Sequence, residues 1–136
     1  MPLESDDDLR AVLDLQTIAV VGASTSPGKA AHDIPAYMER QGYEIVPVNP
    51  YADEVLGKRA YDSLAEVEEE IDIVDVFRPS EEVAGIVDEA LDREDVQVIW
   101  MQLDIRDDDA AAEAEADGRR VVQDKCLKVE HQRLLG

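Results

Sequence analysis

The sequence predicts an α/β fold: a single domain in which helices wind around both faces of a five-stranded parallel sheet. Short apolar runs alternate five times with segments of helical periodicity, which is the pattern of successive strand–helix units. The chain has 136 residues, enough for one domain with a sizeable core. Because no internal repeat or long linker interrupts the alternation, we expect one domain over residues 1–136, with residues 1–15 as an N-terminal helical extension.

The first half of the chain is expected to supply two strands of this sheet. Buried parallel strands read as continuous apolar runs, whereas amphipathic helices show apolar residues three and four positions apart. These patterns predict, in order, a helix over 6–15, a strand over 17–21, a helix over about 30–41, a strand over 43–48, a loop over 51–62 and a short helix at the sequence SLAE of 63–66. Gly22 ends the first strand and Gly42 ends the second helix. Pro35 fits a first turn better than a helix interior, so the regular helix is expected to begin only near Asp33.

The second half of the chain is expected to supply the other three strands. The same patterns predict a strand over 71–77, a helix over about 81–92, a strand over 96–101, a helix over about 108–117, a strand over 119–123 and a helix over 128–135. Ser80 is the expected N-cap of the first of these helices. Asp107–Asp109 place negative charge at the N-terminus of the second, where the helix dipole favours it.

The acidic composition is the most unusual property of the chain. It has 33 Asp and Glu residues against 13 Lys and Arg residues, a formal net charge of −20. The acids are spread in short clusters, as on a solvated surface, which we interpret as the adaptation of a salt-accumulating halophile. Such a surface repels a phosphate backbone, so nucleic-acid binding is not expected. The single cysteine, Cys126, and the lack of a signal-peptide pattern or long apolar run predict a cytoplasmic protein that does not enter membranes.

The first loop at the carboxyl edge of the sheet, GASTSPGK, has the composition of a phosphate-binding turn. Ligands of doubly wound sheets sit beyond the carboxyl ends of the strands. Gly22 allows a tight turn with room for an approaching ligand, and Ser24, Thr25 and Ser26 offer hydroxyl and N–H groups. The next helix directs its positive N-terminal end at the turn, and Lys29 adds a positive charge. The alternative is a capping turn without a ligand, because isolated glycine motifs are weak signals.

The spacing of this loop excludes one nucleotide motif and weakens another. A P-loop requires G-x-x-x-x-G-K-[ST], but one residue too many separates Gly22 from Gly28, and Ala30 follows the lysine. A dinucleotide fingerprint requires glycine where Ser24 stands, and an acid at the end of the second strand, where the sequence reads VNP over 48–50. An NTPase is therefore excluded, and NAD(P) remains an alternative ligand only for a degenerate fingerprint.

Several segments together resemble the small stand-alone CoA-binding proteins, relatives of the CoA-binding domain in the succinyl-CoA synthetase alpha subunit. The resemblance covers about residues 15–135 and rests on the sequences VGAS (21–24), GYEIVPVNP (42–50), VDVFRP (74–79), WMQL (100–103) and DKCLKVEHQRL (124–134). It implies a Rossmann-like fold and coenzyme A, or an acyl-CoA, as the ligand. It does not imply ligation, because nothing in the chain corresponds to the separate ligase domain of the synthetase.

The resemblance also assigns binding roles to residues of these segments. It implies that the diphosphate is met by Gly22, Ala23 and Ser24, together with the helix start near Lys29. The ribose and its 3′-phosphate would then lie against Asn49 and Pro50. The adenosine half would be bordered by Phe77, Arg78 and Pro79, and the pantetheine arm by Met101, Gln102 and Leu103. An acid after the second strand would repel a phosphorylated ribose bound in this way, which would explain why the sequence has no acid there. Arg78 also fits a surface ion pair, and Met101 also fits the core. One departure is Asp104, near which the family often has a glycine.

The remaining reactive side chains leave alternatives open. Cys126 follows the fifth strand beside Lys125, and either a thiol-dependent reaction assisted by Glu130 or His131, or a mixed disulfide with CoA, competes with a thiol merely adjacent to the ligand. His32 is either a hydrogen-bond donor to a phosphate of the ligand or a histidine on the helix surface. The few histidines and cysteines show no metal-site spacing. We therefore expect a binding module without catalytic residues, acting with a protein partner or as a homodimer; the alternatives are a thiol-dependent enzyme and an NAD(P)-binding protein.

Overall fold

The computed structural model describes all 136 residues and confirms the predicted α/β fold class. In chain order its elements are α1 (Asp6–Leu13), β1 (Thr17–Val21), α2 (Ala30–Arg40), β2 (Glu44–Val48), the short strands β3 (Glu54–Val55) and β4 (Lys58–Arg59), β5 (Ile73–Val76), α3 (Val83–Leu91), β6 (Val98–Met101), α4 (Asp108–Ala116), β7 (Arg120–Val122) and α5 (Leu127–Leu134). Single 3₁₀ turns lie at Leu64–Glu66 and Ser80–Glu82. None of the helices combines the length and apolar character that a membrane crossing needs.

The main sheet has five parallel strands in the spatial order β2-β1-β5-β6-β7. The chain first builds outward from β1 to β2 and then returns to the other side of β1 at β5. The order therefore reverses between β1 and β5. In a doubly wound sheet the connections leave opposite faces at such a point, and their divergence opens a crevice at the carboxyl ends of the strands.

Each face of the sheet carries its own apolar core. Along β1, Ala19 faces the core covered by α3 and α4, whereas Ile18 and Val20 face the core covered by α1, α2 and α5. The second core contains the buried Trp100, whose indole N–H donates to the carbonyl of Lys125 at 2.8 Å. Burial on both faces explains why the strands read as continuous apolar runs.

Helix α2 begins earlier than the sequence suggested. It starts at Ala30 and contains Pro35 in its interior, so the expected start near Asp33 was wrong. Proline has no N–H to donate to the carbonyl four residues earlier, that of Ala31. This carbonyl instead accepts the backbone N–H of Ser24 at 3.0 Å. The loop after β1 thus uses the acceptor that the proline leaves free.

Two connections also differ from their predictions. Residues 51–62, expected to be a loop, contain the β3–β4 hairpin, whose two-residue turn Leu56–Gly57 has φ angles of 56° and 72°. Both values suit a type I′ turn, but leucine rarely adopts the first of them, so the sequence signal was weak. Ser80 does not cap α3. Its Oγ accepts the N–H of Arg106 at 3.1 Å and so ties the loop after β5 to the loop after β6.

Candidate ligand-binding site

A cleft opens at the carboxyl ends of β1 and β2, beside β5, where the strand order reverses. Its volume is about 320 Å³, and Val21, Gly22 and Val48 form its floor. The segment Asn49–Tyr51 forms one wall, and the charged side chains around the cleft are Asp62, Arg78, Glu82 and Glu89. Of the predicted site residues, the cleft brings together Gly22, Asn49, Pro50 and Arg78.

Arg78 lies across the Gly22 turn. Gly22 has a φ of +91°, and a Cβ atom built there would lie 2.9 Å from Cδ of Arg78 and 3.1 Å from the carbonyl oxygen of Phe77. The guanidinium continues to Glu82, where Nε donates to Oε1 at 3.2 Å and Nη2 donates to Oε2 at 2.8 Å. This charge-assisted pair raises the pKa of Arg78. The tight turn was predicted, but the room expected above it is filled by the arginine stem.

The loop that follows Gly22 is held in shape by its own contacts. The Oγ of Ser24 accepts the N–H of Ser26 at 3.0 Å, and Oδ1 of Asp33 accepts the N–H of Gly28 at 3.1 Å. His32 bonds to the same Asp33 carboxylate at 3.0 Å, and together the His32 ring and the Gly28 N–H lower the pKa of Asp33. His32 is thus engaged with its neighbour rather than directed at the cleft.

The donors left free in this loop are few and close together. The N–H groups of Ala23 and Thr25 make no hydrogen bond within the protein, and both residues lie beside the lining of the cleft rather than in it. Lys29 is exposed at the N-cap of α2, and no side chain caps this end of the helix. Unpaired N–H groups, a helix N-terminus and a lysine together favour an anion.

Asn49 fastens the loop after β2 to the loop after β1. Its Nδ2 donates to the carbonyl of Ala23 at 2.8 Å, and its Oδ1 accepts the N–H of Tyr51 at 2.8 Å. Its side chain therefore sets the distance between the two loops. Tyr51, which sequence reasoning missed, is 94% exposed at the edge of the cleft. The available signal was an aromatic residue in the NPYAD loop directly after a buried strand.

The other predicted site residues lie outside this cleft. Phe77 packs partly buried against the core under α2 and α5, and Pro79 is exposed. Met101 is fully buried in the core under α3 and α4, which places its side chain out of contact with the cleft. Leu103 is 60% exposed beyond the end of β6. Asp104 next to it has a φ of +68°, a left-handed conformation that glycine adopts more readily than aspartate.

Gln102 is hydrogen-bonded to a buried carboxyl group, that of Asp75, which was not predicted from the sequence as a site residue. Its Nε2 donates to Oδ1 of Asp75 at 2.6 Å, and its Oε1 accepts the N–H of Leu127 at 3.3 Å. Asp75 lies in β5 between Val20 and Trp100 of the neighbouring strands, and its Oδ2 has no partner. Burial raises the pKa of Asp75 to about 8. An acid within the apolar run IDIVDVF was the signal for it.

The residues around Cys126 do not assemble into a catalytic pair. Cys126 is the N-cap of α5 and is partly buried, and its thiol makes no hydrogen bond to the side chain of His131 or Glu130. Its carbonyl accepts the backbone N–H of Glu130 at 3.0 Å, which belongs to the first turn of the helix. Nδ1 of His131 instead meets the Tyr37 hydroxyl at 2.8 Å, and burial lowers the pKa of His131. Glu130 accepts from Arg133 at 3.0 Å. No group of His, Cys, Asp and Glu side chains has an arrangement that could hold a metal ion.

A doubly wound parallel sheet with a glycine turn and a cleft at its switch point is the architecture on which many α/β domains bind nucleotides and cofactors. Comparison with known proteins specifies the class further. The chain belongs to the family of the CoA binding domain, whose sequence profile matches residues 16–132.

Relatives of known sequence and structure agree with this membership. The uncharacterized protein YneT of Bacillus subtilis is 44% identical over 114 residues, 84% of each chain. The solved structure of a hypothetical protein from Pyrococcus horikoshii has a TM-score of 0.94 at 33% identity, covering 100% of this chain and 97% of that one. An ADP-forming acetate–CoA ligase of Methanocaldococcus jannaschii is 30% identical over 84 residues, 62% of this chain but only 12% of the ligase.

Proposed function

We propose that this protein binds coenzyme A or an acyl-CoA in the cleft at the switch point and does not turn it over. The observation that carries the proposal is the set of unpaired donors at the Gly22 turn, the N–H groups of Ala23 and Thr25 beside the uncapped end of α2. A diphosphate suits such a turn because its negative charge is matched by several donors at once. Family membership supports CoA as the molecule that carries this diphosphate.

The walls of the cleft suggest how the rest of the ligand lies. The loop Asn49–Tyr51 would border the ribose and its 3′-phosphate, and the exposed ring of Tyr51 offers a face on which adenine can stack. The pantetheine arm would leave the cleft past Phe77 and Pro79 toward the exposed Leu103. The buried side chain of Met101 would not contact the ligand in this arrangement. Gln102 would contribute indirectly, through its hydrogen bonds to Asp75 and Leu127 beneath the surface.

The charge of the cleft sets the conditions under which binding should occur. Asp62, Glu82 and Glu89 line it and repel an anionic ligand at low salt. Molar salt reduces the Debye length to about 3 Å and removes most of this repulsion. We infer that the protein works in the cytoplasm of a salt-accumulating organism, which the net charge of −20 also favours. Thermal unfolding should then occur at a higher temperature in molar KCl than in dilute buffer, whereas an equally stable protein at both salt levels would contradict the inference.

The absence of an assembled Cys126 site favours binding over chemistry. The chain spans 12% of the ligase that it resembles, so the ligase activity cannot be transferred to it from the likeness. A module of this kind acts as a carrier, a sensor or a subunit that presents CoA to another protein.

Calorimetric titration in molar KCl tests the proposal. CoA should bind, 3′-dephospho-CoA should bind more weakly, and NAD and NADP should not compete. Lys29→Gln should weaken CoA binding, whereas Arg40→Gln, which removes the same charge at the opposite end of α2, should not. Binding of NADP in place of CoA, or equal effects of the two substitutions, would contradict the assigned ligand or its position.

A further inference from the structure

Arg78 and Glu82 form a closed arrangement over the phosphate turn. The aliphatic stem of Arg78 occupies the space above Gly22, with Cδ at 2.9 Å and Cγ at 3.3 Å from the position of an added Cβ. The guanidinium is held at two points by the Glu82 carboxylate. An anion that approaches the turn from the cleft therefore meets a hydrocarbon stem, and the positive charge beside it is already neutralised.

The segment that carries Glu82 is anchored, so the side chain of Arg78 is the part that can move. Glu82 belongs to the 3₁₀ turn at Ser80–Glu82, whose first residue is bonded through its Oγ to the N–H of Arg106. Both partners of the ion pair are 46% exposed, so water, ions and an anionic ligand can reach the pair and exchange with it. Glu89 also lines the cleft but makes no ion pair with Arg78.

We propose that Glu82 is a positioning residue that acts as an internal competitor for the ligand: it holds Arg78 across the Gly22 turn until a phosphate takes its place. This rests on the proposed function, since the competing phosphate is that of CoA. On binding, the guanidinium exchanges the Glu82 carboxylate for a phosphate oxygen, and the stem leaves Gly22. Because the exchanged contact is an exposed ion pair, salt weakens the competitor, and the effect of Glu82 on ligand affinity is largest at low salt.

The test compares Glu82→Gln with Glu89→Gln, which remove the same charge from the same cleft. In the ligand-free protein, the NMR resonance of the Arg78 Nε–H should shift in Glu82→Gln and stay in place in Glu89→Gln. In low-salt buffer, Glu82→Gln should bind inorganic pyrophosphate and CoA about two- to fivefold more tightly than Glu89→Gln does. This difference should shrink in molar KCl.

Equal affinities of the two variants for pyrophosphate, or an Arg78 resonance unchanged in Glu82→Gln, would overturn the proposal. Failure of all variants to bind CoA would instead refute the proposed function. The two failures are distinguishable because the pyrophosphate titration and the resonance of Arg78 report on the exchange without CoA.

Discussion

The side-chain amide of Gln102 is fixed between the carboxyl group of Asp75 and the first turn of α5. It donates to Asp75 Oδ1 at 2.6 Å and accepts from the Leu127 N–H at 3.3 Å. A neutral carboxyl group can accept from an amide or donate to it, whereas the backbone N–H of Leu127 can only donate, so the start of α5 determines which way the Gln102 amide faces. Gln102 thereby links a buried acid in the middle of the sheet to the helix start next to Cys126.

Replacing this acid should change how stability depends on pH. The pKa of Asp75 is about 8 in the folded protein, against an ordinary value of 3.8. Between these values the folded state keeps a proton that the unfolded state has lost, so the free energy of unfolding falls as pH rises. The contribution reaches about 1.4 kcal/mol per pH unit and levels off above the folded pKa. Asp75→Asn should remove this fall, measured by urea unfolding between mildly acidic and alkaline pH.

The matched control for Asp75→Asn is Asp62→Asn at the cleft, which should keep the wild-type dependence because Asp62 is exposed. If Asp75→Asn and the wild type showed the same slope, the carboxyl would be ionised in the folded state.

The sheet could be predicted from the sequence because burial on both faces leaves continuous apolar runs, such as TIAVV at β1. The turn at Gly22 was also visible, since a strand that ends in glycine before Ser and Thr is a local pattern. A surface ion pair was anticipated as one alternative for Arg78. Its partner Glu82 and its position across Gly22 were not, because periodicity does not fix side-chain directions in a loop. The state of Asp75 depends on Val20 and Trp100, which come from other strands. Pro35 misled the prediction because its consequence is a contact with Ser24, outside the helix.

Gly22→Ala should destabilise the protein more than Gly28→Ala does. Both glycines have a positive φ, +91° and +96°, so alanine costs about 1–2 kcal/mol of backbone strain at either position. At Gly28 the added methyl group meets nothing within 4 Å, whereas at Gly22 it meets Arg78 and the Phe77 carbonyl. Overpacking should add about 1 kcal/mol or more at Gly22 alone. Equal unfolding free energies of the two variants would mean that neither the Arg78 stem nor the Phe77 carbonyl restricts the space above the turn.

Asn49→Asp should weaken CoA binding while the domain stays folded. Aspartate keeps an oxygen to accept the Tyr51 N–H but loses the donor to the Ala23 carbonyl, and two acceptors then face each other. The loops on either side of the cleft should separate, with about a tenfold loss of affinity for CoA in calorimetry. Molar KCl distinguishes the causes. A loss due to the added charge would disappear in salt, whereas a loss due to the missing donor should persist.

Cys126→Ser should leave CoA binding unchanged. The thiol of Cys126 makes no hydrogen bond to the side chain of His131 or Glu130, whose side-chain partners are Tyr37 and Arg133, so they form no nucleophile–base pair with it. Incubation with CoA disulfide separates a reactive thiol from an inert one, because attack by a Cys126 thiolate would form a protein–CoA disulfide and release one CoA thiol. We expect no such adduct in the mass spectrum of the wild type. An adduct that is absent in Cys126→Ser, and that forms faster than with a small reference thiol, would identify Cys126 as a reactive residue and revive the thiol-dependent alternative.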